Sequence, residues 1–372
     1  MSERRHTCAR IRGIKVTLLE LGWNADLQCN FKKLSRQDFV PARVSSVMKG
    51  HFGVWGESGD GLTRLSGKLL FRAKTNSDLP AVGDWVAIDS EAGNNRGVIH
   101  HVLPRRSKIS RKIAGRAVDE QVIATNIDTV FIVCAVNQEF NLRRLERYVA
   151  LVWDSGAQPV VLLNKVDLCE DVSARVAAAE FSAPGVPAHA ISAGDGAGFD
   201  ALFGYLKVGQ TAALIGSSGV GKSTIINRLL GNEAQSTLPV REHDDRGRHS
   251  TTSRQMFALS SGGLVIDTPG MRKLQLWDID TGLSAIFDGL DEIAVQCRYR
   301  DCSHQLEPGC AVRIAVEAGQ LDPGCVTNFL KLRAEQTSLE RRVDLRAAQE
   351  AKKRARLACK ELRKTIRFKD RS

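Results

Sequence analysis

No stretch of the 372 residues reaches the roughly 18 consecutive apolar positions that a membrane span needs, and the opening MSERRHTCARIRGIKV lacks a signal-peptide core. These two absences lead us to expect a soluble, cytoplasmic protein with no membrane partner. Disulfide logic is missing as well. Nine cysteines are an odd number, and Cys8, Cys29, Cys134, Cys169, Cys325 and Cys359 follow no pairing rhythm, which suits a reducing compartment. There is no C-x-x-C, which argues against thiol redox chemistry, and no internal repeat or low-complexity tract. Acidic charge falls short of basic, 42 residues against 53, leaving a net charge of +11. That balance favours a polyanionic partner, nucleic acid or ribonucleoprotein, or else marks a solvated basic surface with no partner.

The length suits two or three domains. Residues 1–35 mix charge and polarity without a period and read as an extension. Over 36–112 short β-like runs alternate with glycine-bearing breaks, ARVSSVMKGHFGVWG, GLTRLSGKLLFR, VGDWVAID and RGVIHHVL, which predicts a small all-β barrel. Arg43, Lys49, Arg64, Lys68 and Arg72 with interleaved Phe52, Trp55 and Phe71 fit an oligonucleotide-binding (OB-fold) barrel, although the same aromatics could simply fill its core. RRSKISRK, residues 105–112, reads as an exposed linker. Over 113–280 the runs VIATNIDTVFIVCAV, QPVVLLNKVDL, AHAISA, TAALIGSS and GLVIDTPG alternate with helical stretches, the signature of a parallel α/β sheet. Residues 281–372 turn mostly helical.

Gly216-Ser217-Ser218-Gly219-Val220-Gly221-Lys222-Ser223, followed by Thr224, matches G-x-x-x-x-G-K-[ST] between an apolar strand and a helical run. Glycines let backbone N–H groups curl round a phosphate, Lys222 brings charge to the β and γ phosphates, and the Ser223 hydroxyl can hold Mg²⁺. Asp267-Thr268-Pro269-Gly270 closes the strand GLVI, placing Asp267 to hold Mg²⁺ through water and the Gly270 N–H to sense the γ-phosphate. Asn164-Lys165-Val166-Asp167 after PVVLL is the pattern with which GTPases read guanine, Asp167 accepting from the base's N1 and exocyclic amine. Adenine would leave that carboxylate desolvated and unpaired. Ser192-Ala193 supplies the backbone N–H expected near the guanine oxygen. The base motifs precede the phosphate motifs, the reverse of ordinary GTPases, so the domain is circularly permuted.

Cys297-x4-Cys302-x-His304-x5-Cys310 gathers three thiolates and an imidazole within fourteen residues, a full tetrahedral set for one structural Zn²⁺. Beyond Val326 the chain is helix-forming and ends in dense Lys and Arg, fitting a helix whose basic end reaches phosphates, or equally a solvated, partly disordered tail.

With this motif order between a β barrel and a Cys/His cluster, the chain resembles the ribosome small-subunit-dependent GTPase A (RsgA) family over nearly its whole length. The resemblance implies an OB-fold domain, a permuted GTPase domain and a zinc domain, acting late in maturation of the 30S subunit. It implies GTP and GDP as ligands, 16S rRNA contact, and GTPase activity stimulated by the subunit; we expect a monomer. Arg246-Gly247-Arg248-His249-Ser250-Thr251-Thr252 resembles the family's switch region, which makes Thr251 the expected Mg²⁺ ligand, with Thr252 an alternative. Met271 stands where many GTPases carry a water-orienting Gln, so the resemblance assigns that task to His249, unless His249 is a loop residue contacting rRNA. Two rivals remain: an RNA-binding factor that uses GTP only as a switch, and an ATPase, against which NKVD argues.

Overall fold

The computed structural model describes residues 16–34, 38–90, 96–112, 120–136, 140–231, 254–268, 288–299, 302–304, 307–321 and 323–334, with 337 and 341. His249, Thr251, Thr252, Gly270, Met271 and the basic tail from 342 lie outside these residues. The chain divides into two compact units, and the first holds both the barrel and the α/β sheet.

The first unit opens with helix α1 (Ala25–Lys32), started by Asn24, whose side chain accepts from the Leu27 N–H. Five strands follow: β1 (Phe39–Met48), β2 (His51–Gly56), β3 (Gly59–Leu65), β4 (Trp85–Ser90) and β5 (Arg96–Val102). They run in the order β1-β2-β3-β5-β4, and β4 pairs back onto β1, which closes a barrel. Its core is Ala42, Val44, Phe52, Val54, Val86 and Ile99. The run GLTRLSGKLLFR, predicted as β-like throughout, leaves the sheet at Leu65. Ser66 accepts from the Leu69 N–H at 3.1 Å and starts helix α2 (Gly67–Arg72). A capping hydroxyl and helix-forming residues outweigh the apolar content here.

RRSKISRK is not an exposed linker. Lys108–Lys112 form strand β6, paired with β7 (Glu120–Thr125), and both Ser107 and Ile109 are buried. The charges that suggested a linker are matched: Arg105 grips Asp84 through two nitrogens at 2.8 and 2.7 Å, and Lys108 lies 2.7 Å from Glu120. The predicted strand VIATNIDTVFIVCAV is two, because Asn126 takes a left-handed φ of 51° between β7 and β8 (Thr129–Ala135).

From β8 the chain alternates as predicted: α3 (Leu142–Asp154), β9 (Gln158–Asn164), α4 (Val172–Ser182), β10 (Ala188–Ile191), α5 (Asp200–Phe203), β11 (Thr211–Ile215) and α6 (Lys222–Leu230). β12 (Gln255–Ala258) and β13 (Leu264–Asp267) complete the sheet. Its order is β10-β9-β8-β11-β13-β12, all parallel except β12, which also touches β1 of the barrel. β8, β11 and β13 are buried along nearly their whole length, as a parallel sheet covered by helices requires.

The second unit carries α7 (Asp288–Ala294), α8 (Ala311–Glu317) and a helix over 323–334, here α9. Leu290, Val312, Ala315, Val326, Phe329 and Leu332 are buried apolar residues of this unit.

Candidate functional site

In a parallel sheet all carboxyl ends open on one edge, where ligands bind. Four strands, two on each side of β8, deliver the predicted loops there: β11 leads into Gly216, β13 ends at Asp267, β9 at Asn164 and β10 just before Ser192.

The phosphate-type loop is shaped by what its glycines cannot accommodate. A Cβ on Gly216 (φ 147°) would stand 2.4 Å from the Val133 carbonyl oxygen. One on Gly221 (φ 101°) would stand 2.2 Å from the Asn164 amide nitrogen. That amide is there because Asn164 Nδ2 donates to the Val220 carbonyl at 2.7 Å while its Oδ1 accepts from the Ala193 N–H at 2.9 Å. Fully buried Asn164 therefore ties three loops together. Lys222 is folded into the loop, its Nζ donating to the carbonyls of Gly216 at 2.9 Å and Ser217 at 2.7 Å. Burial lowers its pKa to about 8, opposed by the charge of Asp267. Ser218, Gly219, Ser223 and Thr224 line the turn into α6.

On the base side Lys165 takes a left-handed φ of 67°, which turns the chain into the short 3-10 segment Val166–Leu168. Exposed Asp167 accepts a hydrogen bond from the buried Ser192 hydroxyl at 2.8 Å, so Ser192 aims the carboxylate. The Ser192 N–H goes to the Ala197 carbonyl at 3.0 Å, and the Ala193 N–H is held by Asn164. Four further residues had no role assigned from sequence. Buried Thr268 donates to the Leu214 carbonyl and pins the end of β13 to β11. Arg144 on α3 donates to the Ser217 hydroxyl at 2.8 Å, and Tyr148 one turn on bonds the same group. Arg228 on α6 reaches the loop after Ser192. Thr268 stands inside the D-T-P-G motif, whereas no motif marks Arg144, Tyr148 or Arg228, and only the helical phase of α3 and α6 would have hinted at them.

In the second unit, Cys297 Sγ and Cys310 Sγ each lie 3.5 Å from His304 Nδ1 and 4.0 Å from one another. With Cys302, all four ligand atoms fall within 4.8 Å. A tetrahedron with Zn–S near 2.3 Å and Zn–N near 2.0 Å has edges of about 3.5–3.8 Å, so the donor set fits that ion. His304 holds a left-handed φ of 57°. Burial raises the Cys297 thiol, but the N–H groups of Val312 and Ala311 at the start of α8 outweigh it and the pKa is lowered.

A phosphate loop and a guanine-type loop on one sheet edge, with the base motif first in the chain, define a circularly permuted GTPase. A family profile described as RsgA GTPase matches residues 102–277. The protein named small ribosomal subunit biogenesis GTPase RsgA from Opitutus terrae is 44% identical over 338 residues, covering 88% of this chain and 92% of that protein. Its namesake from Syntrophotalea carbinolica is 43% identical, with 92% and 95% covered. The chain belongs to the RsgA GTPase family. Among solved structures, YjeQ from Thermotoga maritima is similar with a TM-score of 0.59 at 27% identity, over 80% of this chain and 99% of that one. YloQ, titled a circularly permuted GTPase, shares the fold with a TM-score of 0.58 at 23% identity, over 82% and 97%.

Proposed function

We propose that this protein hydrolyses GTP to GDP and phosphate during late maturation of the small (30S) ribosomal subunit, and that binding the subunit and its 16S rRNA stimulates it. The observation that carries the reading is the convergence of Lys222, Asp267, Asn164 and Asp167 on one sheet edge, in a chain whose relatives are named for that task. Asp167, aimed by Ser192, accepts from the guanine N1 and exocyclic amine. Lys222 leaves its loop carbonyls for the β and γ phosphates, and the N–H groups from Gly216 to Thr224 cradle them. Ser223, Thr251 and Asp267 are the hard oxygen donors that would hold Mg²⁺, which when bound neutralises charge on the phosphates. A water attacks the γ-phosphorus in line, the bond to the β-bridging oxygen breaks, and GDP departs; His249 or an rRNA group orients that water. Cys297, Cys302, His304 and Cys310 hold one structural Zn²⁺.

For two of the three barrel aromatics the core-filling alternative holds. Phe52 and Trp55 are core, and Arg43 is buried, so none of these is available to RNA. Phe71 on α2 is 91% exposed beside exposed Leu70, Lys68 and Arg72. An open aromatic ring among cations suits an unstacked base with flanking phosphates. We therefore assign rRNA contact of this OB-type barrel to α2, in a protein acting as a monomer.

The test is GTP turnover with and without 30S subunits, alongside co-sedimentation of the two in a non-hydrolysable GTP analogue and in GDP. Stimulation by subunits is expected, reduced in Phe71→Ala with intrinsic turnover retained. No stimulation of the wild type would sink the activator reading.

A further inference from the structure

Six residues beyond Lys222, about 9 Å along the axis of α6, stands Arg228, a surface residue whose side chain is nonetheless fixed at four points. Its Nε donates to the Ala193 carbonyl at 3.0 Å, and its Nη2 to the neighbouring Gly194 carbonyl. The guanidinium carbon lies 5.7 Å from the centre of the Phe199 ring. Nη1 occupies the space above Gly196, where a Cβ would come within 2.4 Å of it. A planar fork that meets two adjacent carbonyls and stacks on an aromatic is a geometry only arginine provides.

The consequence follows from the peptide unit itself. In a trans peptide C=O and N–H point in opposite directions. With the Ala193 and Gly194 oxygens held on the α6 side, the N–H edges of the next residues are turned the other way. The Gly194 N–H, on the opposite edge of the Ala193 peptide, has no partner among the described residues. Asn164 fixes the same loop from its other side, through the Ala193 N–H.

Resting on the guanine reading of this site, we propose that Arg228 is a positioning residue: it locks the base-reading loop to the phosphate-binding helix and so sets how long a 6-oxopurine nucleotide stays bound. The base end and the phosphate end of the pocket are thereby one rigid body across α6. Loosening the clamp lets the base-side donors drift while the phosphate loop stays intact.

The experiment measures equilibrium affinity and dissociation rate of GDP, IDP and ADP, and of inorganic triphosphate as a probe of the phosphate loop alone. It compares wild type, Arg228→Ala, Arg228→Lys and Asp167→Ala. Losing two charge-assisted hydrogen bonds predicts about tenfold weaker GDP binding in Arg228→Ala, through faster dissociation. IDP should weaken by the same factor, because it keeps the 6-oxo group and lacks only the amine that Asp167 reads. Triphosphate affinity and turnover at saturating GTP should stay near wild type. Arg228→Lys should recover little, since one ammonium cannot bridge two carbonyls; if Arg228→Ala does not fold, this variant carries the test. Asp167→Ala should instead lower the GDP-to-IDP preference. Unchanged GDP dissociation in the arginine variants, or an equal loss for triphosphate, overturns the proposal. A wild type that binds GDP and ADP alike overturns the guanine reading itself, a separate failure.

Discussion

Lys222 is the residue on which charge and chemistry meet. Its ammonium is buried against two carbonyls of its own loop, and that burial lowers its pKa to about 8. Phosphates would hold it protonated, so binding above that pH must draw a proton from solvent. Calorimetry in buffers of different ionisation enthalpy should find uptake approaching one proton per GDP near pH 9 and almost none near pH 6.5. Proton exchange that does not vary with pH would refute this. The sign for the free protein is opposite: a lysine whose folded pKa lies below its unfolded one leaves the unfolded chain binding more protons. This group therefore adds stability as pH rises from about 8 to about 10.5. The loop's sequence made Lys222 recognisable, and Asn164 with it. That Asn164 is a strut between three loops was not legible, because its partners, Val220 and Ala193, are 56 and 29 positions away.

Local elements show where reading by pattern succeeded and where it failed. Strands with continuous apolar runs, β9 and β11, were legible because burial on both faces confines polar residues to their ends. α2 was misread since LSGKLLFR is apolar enough for a strand, and the cue lay in one capping hydroxyl. The run RRSKISRK that contains β6 was misread because its cations find acids outside it, Arg105 on Asp84 and Lys108 on Glu120. The Cys/His cluster was legible from spacing alone, and the structure brings its four atoms within 4.8 Å. Small helices with few buried apolar residues gain much of their stability from such a staple. On the proposed zinc reading, a chelator should therefore raise hydrogen exchange across 297–317 while β8 and β11 keep their protection. Unaltered exchange after zinc loss, followed by mass spectrometry, would show that the metal does not hold this unit.

For the first unit as a whole, the joint between barrel and α/β sheet turns on Arg43. Its guanidinium, buried and with its pKa lowered to about 10 chiefly by that burial, donates to the carbonyls of Leu21, Gly83 and Asn126 at 2.5, 3.2 and 2.9 Å. Those oxygens belong to the N-terminal segment, the barrel and the β7–β8 turn, and Trp23 packs edge-on against Trp85 beside them. Residues 16–34 are thus part of this joint. Arg43→Met leaves the carbonyls of Leu21 and Asn126 unpaired, while Gly83 keeps the Asn126 amide, and should cost about 2 kcal/mol or more, with the melting of this unit splitting into two transitions. Scanning calorimetry decides it: one transition at an unshifted temperature would show that the joint rests elsewhere. The permuted order matters at this scale too, since β13, the last strand of the sheet, precedes the residues of the second unit in sequence. The sequence by itself determined the nucleotide-binding motifs, the Cys/His cluster and the parallel sheet, because these depend on residue type, short spacing and apolar periodicity. Only the tertiary structure decided that Arg43 is a joint rather than an RNA contact, that Phe71 is exposed while Phe52 and Trp55 are core, and that Arg144 and Arg228 brace the site. A side chain's role as contact, clamp or core depends on which distant carbonyls and rings surround it, and local pattern does not encode those neighbours.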